Sequence, residues 1–294
     1  MRRKTTKWQF LKRFGIVLAI LFTFFAAELA YSAYRLTASR YFVSSDKVVN
    51  TVRIVFLSDL HGRSFGAGNE RLLKTIAKEH PDLIALVGDI FNRDAGRDEI
   101  NRMCELIRKT SEIAPVYFSL GNHEQSYLRT HDTNLLKLVE ESGAIVLDNN
   151  YIDIEVKNMP VRIGGYMGYY RQPIMTTSDP EQINQEIAFA DAFEETDRFK
   201  LLLNHIPTMW LEWSGFNRYP VDLVLSGHYH GGLIRIPFLN RGVIAPNAGW
   251  FPHYTKGVFE GREATCILTT GLAGSKFPRL FNPPEIVVVD LGNE

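Results

Sequence analysis

The chain has 294 residues, carries 33 Lys and Arg against 33 Asp and Glu, and is 45% hydrophobic. This composition is typical of one large or two small globular domains and excludes a disordered or collagen-like chain. The charge is unevenly spread: residues 1–40 carry eight Lys and Arg and one acid, whereas the other 254 residues carry 25 Lys and Arg against 32 Asp and Glu. We therefore expect no nucleic-acid partner, because binding nucleic acid requires a basic surface.

The first predicted element is a transmembrane helix over residues 14–34, preceded by a basic cytoplasmic tail at 1–13. The apolar run from Phe14 to Ala27 resumes after Glu28 and reaches the roughly 20 residues that a membrane-spanning helix requires. Six Lys and Arg precede this run, which predicts a cytoplasmic amino end and an extracytoplasmic remainder. A cleaved signal peptide is the alternative, and the absence of paired small residues at the expected cleavage position disfavours it.

A polar linker is expected at 35–48, followed by a catalytic domain over 49–294. Strand patterns alternate with amphipathic helix patterns in the first half of this domain, which predicts a parallel sheet covered by helices. The predicted strands are 52–59, 83–89 and 116–122, and the helices are 69–80, 99–110 and 132–142. The later strands are 144–147, 151–156, 161–166, 200–204, 221–226, 232–236, 264–269 and 285–290, with helices near 180–195. Two packed mixed sheets with outer helices accommodate this order.

Carboxylate, carboxamide and imidazole side chains follow five of the predicted strands where each strand ends. They are Asp59 and His61, Asp89, Asn122 and His123, His205, and His228 and His230. Taken alone, each is explained as a turn or structural residue. However, five of the eight histidines in the chain lie at these ends. Because parallel strands place ligand sites at their carboxyl ends, we expect these side chains to converge on a metal site.

The ordered blocks Asp59-x-His61, Gly88-Asp89, Gly121-Asn122-His123-Glu124, His205 and Gly227-His228-x-His230 resemble the calcineurin-like metallophosphoesterase superfamily over roughly residues 50–290. This resemblance implies an α/β fold, a four-layer α/β/β/α sandwich, and two divalent metal ions bridged by Asp89. It implies that Asp59, His61 and His230 complete one metal site. It implies that Asn122, His205 and His228 complete the other. His123 is implied to be catalytic, binding the phosphate and protonating the leaving oxygen.

The resemblance implies a phosphoric ester hydrolase in which metal-bound hydroxide attacks phosphorus. Imidazole and carboxylate ligands without thiolate suit manganese, iron or zinc and do not choose among them. One position departs from the phosphoprotein phosphatases of the family, since Asn92 stands where their histidine-orienting aspartate is found. Either Asp94 compensates, or His123 acts mainly as a hydrogen-bond donor. This departure argues against protein phosphatase activity.

Two stretches, 227–252 and 269–291, resemble the bacterial membrane- or wall-associated YkuE-like phosphodiesterase branch of the superfamily. The expected function is hydrolysis of a membrane- or envelope-associated phosphodiester. A UDP-diacylglucosamine-type pyrophosphatase and a cyclic-nucleotide phosphodiesterase remain alternatives. A binding module without catalysis is disfavoured because every metal position is present. The loop with Arg279 and Asn282 is expected either to border the site or to close the sheet.

Aromatic residues follow two of the ligand segments. They are Trp210, Trp213 and Phe216 after His205, and Trp250, Phe251 and Tyr254 after the histidine turn. Core packing is one interpretation, because most aromatic side chains are largely buried. The other is an apolar cleft beside the site that accepts an acyl or aromatic leaving group.

Overall fold

A computed structural model describes residues 2–131, 134–273 and 278–293 of the chain. Its helices are α1 (Arg2–Tyr34), α2 (Glu70–Lys78), α3 (Arg97–Ser111), α4 (Asn122–Thr130), α5 (Leu135–Glu141), α6 (Pro180–Glu194) and α7 (Thr208–Leu211). Its first strands are β1 (Thr37–Ser44), β2 (Val52–Leu57), β3 (Leu83–Val87), β4 (Val116–Ser119), β5 (Ala144–Leu147), β6 (Asn150–Val156), β7 (Met159–Gly165) and β8 (Phe199–Leu203). The later strands are β9 (Leu223–Ser226), β10 (Arg235–Ile236), β11 (Arg241–Gly242), β12 (Ile244–Ala245), β13 (Gly249–Trp250), β14 (Gly257–Glu260), β15 (Thr265–Leu268) and β16 (Glu285–Gly292).

Two six-stranded mixed sheets form the centre of the fold. Sheet A has the order β1-β16-β2-β3-β4-β5, and sheet B has the order β14-β15-β9-β8-β7-β6. Strands β2 to β5 run parallel in sheet A, and β7, β8, β9 and β15 run parallel in sheet B. The carboxyl ends of β2, β3 and β4 therefore share one edge of sheet A, as those of β8 and β9 do in sheet B.

Alternate residues of each strand pack on opposite faces, which produces three buried apolar layers. In β2, Ile54 and Phe56 pack between the two sheets, whereas Val55 and Leu57 pack under the helices that cover sheet A. In β8, Leu202 packs against the outer side of sheet B, where α6 and α7 lie. This period of two is the property of strands on which the sequence prediction rested. The expected four-layer sandwich is confirmed.

Some predicted boundaries differ from the observed ones. The helix expected at 132–142 begins at two residues, 132 and 133, that lie outside the described part of the chain, and α5 starts at Leu135. The strand expected at 232–236 is reduced to the two residues of β10, because a turn at His230–Gly232 occupies its first position. Glycines with positive φ at 231 and 232 prevent an extended conformation there.

The segment 35–48, expected to be a polar linker, contains a strand of the sheet. Strand β1 pairs in parallel with β16 over eight residues, from Thr37 opposite Glu285 to Ser44 opposite Gly292. Its sequence, TASRYFVS, mixes polar and apolar residues without strict alternation, so its composition resembles that of a linker. Only Arg35 and Leu36 separate α1 from β1.

Helix α1 is long and apolar enough to cross a membrane over Lys7–Tyr34, and its most apolar stretch is not buried against the rest of the protein. In the ranges 2–131, 134–273 and 278–293, it is the one helix with this property.

Candidate metal centre

The candidate ligands lie after five parallel strands, three in sheet A and two in sheet B. Five of them have positive φ angles of 47° to 69°, and they are Asp59, His61, Asp89, His228 and His230. This left-handed conformation costs a residue other than Gly about 1–3 kcal/mol, and such residues cluster at functional sites. Asn122 and His123 begin α4, and His205 follows β8.

Asp89 lies at the centre of the cluster. Its Oδ2 is 3.3 Å from Nε2 of His205 and 3.8 Å from Nε2 of His61. Nε2 of His123 lies 4.0 Å from the same oxygen. Its other oxygen, Oδ1, accepts a hydrogen bond of 2.9 Å from the backbone N–H of His123. One carboxylate therefore faces three imidazoles from three different turns.

Asp59 forms a second focus beside Asp89. Its Oδ1 is 3.7 Å from Nε2 of His230, 3.9 Å from Nε2 of His205 and 4.0 Å from Nε2 of His61. The side chain is fully buried. It accepts hydrogen bonds from the backbone N–H of His228, at 3.1 and 3.2 Å to its two oxygens. The turn after β9 is thus bound directly to the turn after β2.

Three groups of these side chains have donor atoms close enough to hold a metal ion. In each group the atoms lie within 4.8 Å of one another, and the groups are Asp59, His61 and His230; His61, Asp89 and His123; and Asp89, His205 and His228. The first and third groups correspond to the two ligand sets implied by the sequence resemblance. The structure also brings Asn122 to the same place, where its Oδ1 is buried.

Two histidines are oriented by backbone carbonyls behind them. Nδ1 of His205 lies 2.9 Å from the carbonyl oxygen of Val87, and Nδ1 of His230 lies 3.2 Å from that of Ala273. A carbonyl only accepts, so the proton of each ring is on Nδ1 and Nε2 is turned toward the carboxylates. This is the arrangement by which proteins orient metal-ligating histidines.

One ring of the cluster carries a positive charge in the absence of metal. Burial lowers the pKa of His61 to about 4 and that of His228 to about 3, so both are neutral at pH 7. Burial acts in the same direction on His205, but the carboxylates of Asp89 and Asp59 outweigh it and raise its pKa to about 10. Without a bound cation, a proton on His205 therefore offsets part of the charge of the two buried carboxylates.

The donor atoms themselves fit a metal centre. Nε2 of His61 and Oδ1 of Asn122 are buried and have no hydrogen-bond partner among the described residues. Leaving buried polar atoms unpaired costs about 1–3 kcal/mol each, and native proteins rarely do so without a compensating ligand. Imidazole, carboxylate and carboxamide groups are suitable ligands for divalent transition metals. These ligand types are compatible with several divalent transition metals and do not identify one of them.

Glu124 belongs to one of the sequence motifs, but no role was predicted for it. In the structure it joins the turn after β3 to the turn after β4. Its buried carboxylate accepts four backbone hydrogen bonds of 2.8–2.9 Å, from the N–H groups of Asp89, Ile90, Phe91 and Gly121. Burial raises its pKa to about 7, and the nearby Asp89 charge acts in the same direction. Its position as the third residue of α4, following a glycine, is the local signal that identifies a helix-capping acid.

A glycine allows these turns to approach closely. Gly88 has a φ of +69°, and a Cβ atom there would lie 2.6 Å from Cα of Gly121 and 2.7 Å from Cγ of His205. Any other residue at this position would push the strand ends of the two sheets apart.

The surroundings of His123 show whether Asn92 or Asp94 orients its ring. The carboxamide of Asn92 donates to the carbonyl oxygen of His61 at 2.9 Å and to Oε2 of Glu99 at 3.1 Å, so it does not orient the His123 ring. Nδ1 of His123 is buried without a partner in the described structure, which means that Asp94 does not compensate either. Nε2 of His123 lies 3.0 Å from Nη2 of Arg93. Burial lowers the pKa of His123.

A cavity of about 610 Å³ opens above the cluster. The candidate ligands on its wall are His61, Asp89, Asn122, His228 and His230, and His123 lines it beside them. Pro246 and Asn247, which the sequence had not singled out, also line it. Asn247 Nδ2 lies 3.0 Å from Nε2 of His228. No local pattern marks Asn247, because the turn between β12 and β13 reaches the site only through the folding of the chain.

The loop with Arg279 and Asn282 lies behind His230 and not on the cavity wall. Asn282 Nδ2 donates to the carbonyl oxygen of His230 at 2.8 Å. Arg279 is buried and donates to the carbonyl oxygen of Ala273 at 2.6 Å, the atom that also faces the His230 ring. The loop therefore does not border the cavity, which was one of the two expectations for it. It is a structural element that holds the backbone on either side of the His230 ring.

The aromatic cleft expected beside the site is not present in the described part of the chain, since no aromatic side chain other than histidine lines the cavity. Trp210 is fully buried and donates to Oδ1 of Asn204, and Trp213 stacks on Tyr169 with ring centroids 5.3 Å apart. Phe216 and Tyr254 pack against the outer core of sheet B. Trp250 and Phe251 are exposed, away from both the core and the cavity wall.

Comparison with known proteins identifies relatives of the whole domain. A family model described as "Calcineurin-like phosphoesterase" matches residues 52–232. The chain is 27% identical to the uncharacterized metallophosphoesterase YkoQ of Bacillus subtilis over 186 residues, which are 63% of this chain and 63% of YkoQ. The match thus spans less than two thirds of YkoQ.

Two other relatives match over more of their length. The uncharacterized metallophosphoesterase YkuE of Bacillus subtilis is 27% identical over 243 residues, which are 81% of this chain and 78% of YkuE. The phosphodiesterase YaeI of Escherichia coli is 25% identical over 247 residues, which are 81% of this chain and 82% of YaeI. These matches confirm the resemblance inferred from the strand-end motifs.

Proposed function

The chain belongs to the calcineurin-like phosphoesterase family and is a metal-dependent phosphoester hydrolase, and from this premise we propose that it is a dinuclear-metal phosphodiesterase acting on a membrane- or envelope-associated phosphoester. The observation that carries the proposal is the convergence of seven candidate ligands and His123 below one cavity, with buried donor atoms unpaired. Such a cluster has no structural purpose that the surrounding hydrogen bonds explain.

Two divalent ions, of manganese, iron or zinc, would be held by the residues named from the sequence. Asp89 would bridge them, because its Oδ2 faces ligands of both sets. Asp59, His61 and His230 would complete one site, and Asn122, His205 and His228 the other. When bound, such ions neutralise phosphoryl oxygens and acidify the water that attacks phosphorus.

The protein's own groups position the substrate above these ligands. Arg93 is exposed at the cavity, where its guanidinium offers paired donors to phosphate oxygens. The neighbouring His123 ring lacks a carboxylate on Nδ1 that would stabilise an imidazolium. His123 therefore serves as a hydrogen-bond donor to the phosphate or leaving oxygen once substrate oxygens replace its Nε2 as the acceptor of the Arg93 hydrogen bond.

A substrate screen of the full-length protein in detergent, loaded with manganese, tests this function. It compares an aryl phosphodiester, an aryl phosphomonoester, a cyclic nucleotide and a UDP-linked glycolipid. We expect the diester to be cleaved fastest, as the similarity to a protein named phosphodiesterase suggests. A clear preference for the monoester would contradict the proposal. Preference for the UDP-linked glycolipid or the cyclic nucleotide would support one of the two alternative substrate classes.

The extracytoplasmic location is part of the same proposal. Six Lys and Arg precede the apolar run of α1 and only Arg35 and Arg40 follow it closely, which favours a cytoplasmic amino end. A reporter that is active only outside the cytoplasm, fused to the carboxyl end, should be active. A silent reporter together with an active cytoplasmic reporter would reverse the orientation. The pyrophosphatase alternative on the cytoplasmic face would then be favoured.

A further inference from the structure

Helix α1 joins the domain at the edge that carries the candidate metal ligands. Strand β1 begins at Thr37, opposite Glu285, and β16 runs antiparallel to β2. The first residue of β1 is therefore level with the end of β2, next to Asp59. The other end of β1, at Ser44, is seven residues further on, or roughly 23 Å away at the rise of a strand.

Before this join, α1 lies against the loop that precedes β16. The ring centroids of Phe24 and Phe281 are 6.1 Å apart. Oε1 of Glu28 accepts a hydrogen bond of 3.0 Å from the backbone N–H of Phe281. Oγ of Ser32 donates to Glu28 at 2.8 Å and accepts from the backbone N–H of Asn282 at 3.2 Å. Phe24 precedes the helix end by ten residues, so the loop reaches about 15 Å along the helix.

These contacts indicate where the membrane surface crosses α1. The backbone of an irregular loop cannot lie in lipid hydrocarbon, and here it binds Glu28. The preceding residues, 8–27, are about as many as a membrane span requires, and Lys12 and Arg13 can extend to the head groups at its inner end. The span therefore ends near Glu28, and residues 28–34 lie outside it against the domain. This places the ligand edge of the domain at the lipid surface.

Two hairpins next to this loop expose large apolar side chains. Their exposed fractions are 106% for Phe238, 62% for Leu239, 70% for Trp250 and 61% for Phe251, and we call these four residues the apolar rim. The first hairpin, β10–β11, starts beside the loop, where Ile234 bridges Leu280 next to Phe281. The second, β12–β13, follows directly in the chain. The rim is thus continuous with the part of the domain that contacts α1.

We propose that the apolar rim inserts into the surface of the bilayer that α1 crosses, as a second membrane contact of the domain. Large apolar side chains gain free energy on leaving water, and Trp favours the interfacial region. Because α1 already tethers the domain, the rim does not have to provide membrane affinity alone. Its role is to hold the domain at a fixed tilt.

A basic surface beside the helix end supports a lipid occupant. A groove of about 650 Å³ between β1 and α2 is lined by the cations Arg35, Arg71, Lys74 and Lys78 and by the Arg40–Glu79 ion pair. Arg71 also donates to the carbonyl oxygen of Tyr34 at 2.6 Å, so the groove begins at the end of α1. Such cations attract anionic lipid head groups. This local excess stands out in a domain whose net charge is negative.

The rim also connects the membrane to the cavity, an argument that rests on the proposed function. Pro246 and Asn247, at the turn of the second hairpin, line the cavity, while Trp250 on its following strand is exposed. A rim held at the lipid surface would therefore place the cavity mouth beside the head groups. A phosphoester could then enter the cavity while its lipid tail remains in the bilayer.

Site-specific fluorescence of the full-length protein in nanodiscs tests the membrane contact without reference to activity. A Cys104→Ala background, with Cys266 left in place because it is buried, receives a single labelled cysteine at Phe238, Trp250 or Val49. Val49 is 77% exposed and follows β1 at the opposite end of the sheet. We expect a lipid-sensitive dye to be blue-shifted and quenched by nitroxide lipids at 238 and 250 but not at 49. Equal spectra and quenching at all three positions would overturn the proposal.

A second experiment links the rim to substrate delivery. The double variant Phe238→Asp with Trp250→Asp is assayed on a vesicle-embedded phospholipid diester and on a soluble aryl diester. We expect the vesicle activity to fall on the order of tenfold while the soluble activity is unchanged. Equal activities of variant and native protein on vesicles would contradict the delivery role. If the native protein cleaves neither diester, the proposed function fails, and the labelling result still decides the membrane contact.

Discussion

The ligand turns and the apolar rim lie at the same edge of the molecule and are built in opposite ways. The ligand turns are buried, several of their residues have strained backbones, and Asp59 and Asp89 are each bound from other turns. The four residues of the apolar rim lie on short hairpins, and their side chains are fully or largely exposed. Metal chemistry requires donor atoms at fixed positions, whereas association with a fluid surface requires accessible apolar area. Substitutions in the two regions should therefore have different consequences.

The largest effect is expected at Asp89. The variant Asp89→Asn removes the charge that faces ligands of both groups, so hydrolysis should fall to background and bound metal should drop from about two ions per chain to one or none. Metal content by elemental analysis and steady-state kinetics measure this. Asp98→Asn, at the exposed first turn of α3, is the matched control. Near-normal activity of Asp89→Asn would exclude the dinuclear mechanism.

His123→Ala should separate chemistry from metal binding. The ring acts on substrate in the proposed function, so turnover should fall about 10²–10⁴-fold while metal content is retained. The exposed His80, at the end of α2, provides the control variant His80→Ala. Loss of metal from His123→Ala would show that the residue is a ligand, as its place in the second donor group allows.

Metal binding should release a proton. The pKa of His205, raised to about 10 by Asp89 and Asp59, keeps the metal-free ring protonated at pH 8, and a metal ligand must be deprotonated. The affinity for manganese should therefore rise with pH up to about 10. Titration calorimetry at pH 8 in buffers of different ionisation enthalpy should detect about one released proton. A His205→Asn variant should release about one proton fewer than the native protein.

Glu124→Gln should mainly reduce stability. Each oxygen of the Glu124 carboxylate accepts hydrogen bonds from two backbone N–H groups. In Gln an amide nitrogen, which is a donor, would replace one of these oxygens, and the two N–H groups that it faces would lose their acceptor. We expect the free energy of unfolding to fall by at least about 2 kcal/mol. Denaturant unfolding in detergent measures this change, with the exposed Glu141→Gln as the control. An unchanged free energy would mean that Glu124 does not hold the turns together.

The smallest stability effect is expected in the rim. Phe238 makes no buried contact, so Phe238→Ser should change the free energy of unfolding by no more than about 0.5 kcal/mol in detergent. The same measurement as for Glu124→Gln applies. A large loss would show that the side chain packs within the protein and would remove the contrast between the two regions.

Much of the candidate site could be predicted because parallel strands impose a simple rule. Residues after β2, β3 and β4 share one edge of sheet A, and residues after β8 and β9 share one edge of sheet B, so local patterns sufficed to select Asp59, Asp89 and His205. Glu124 was overlooked because its importance comes from the backbone groups it accepts and not from its chemistry. Asn247 was overlooked because its turn lies far from any strand end that a pattern could identify.

The sequence by itself determined the alternation of strands and helices, the apolar length of α1 and the ligand types, since each depends on residues that are neighbours in the chain. The tertiary structure decided that 37–44 is an edge strand, because its partner, β16, lies about 250 residues later. It also decided that α1 meets the domain at the ligand edge through Glu28 and Phe281, which are 253 residues apart. Local periodicity carries no information about pairs so distant, because their contact depends on the path of the whole chain between them.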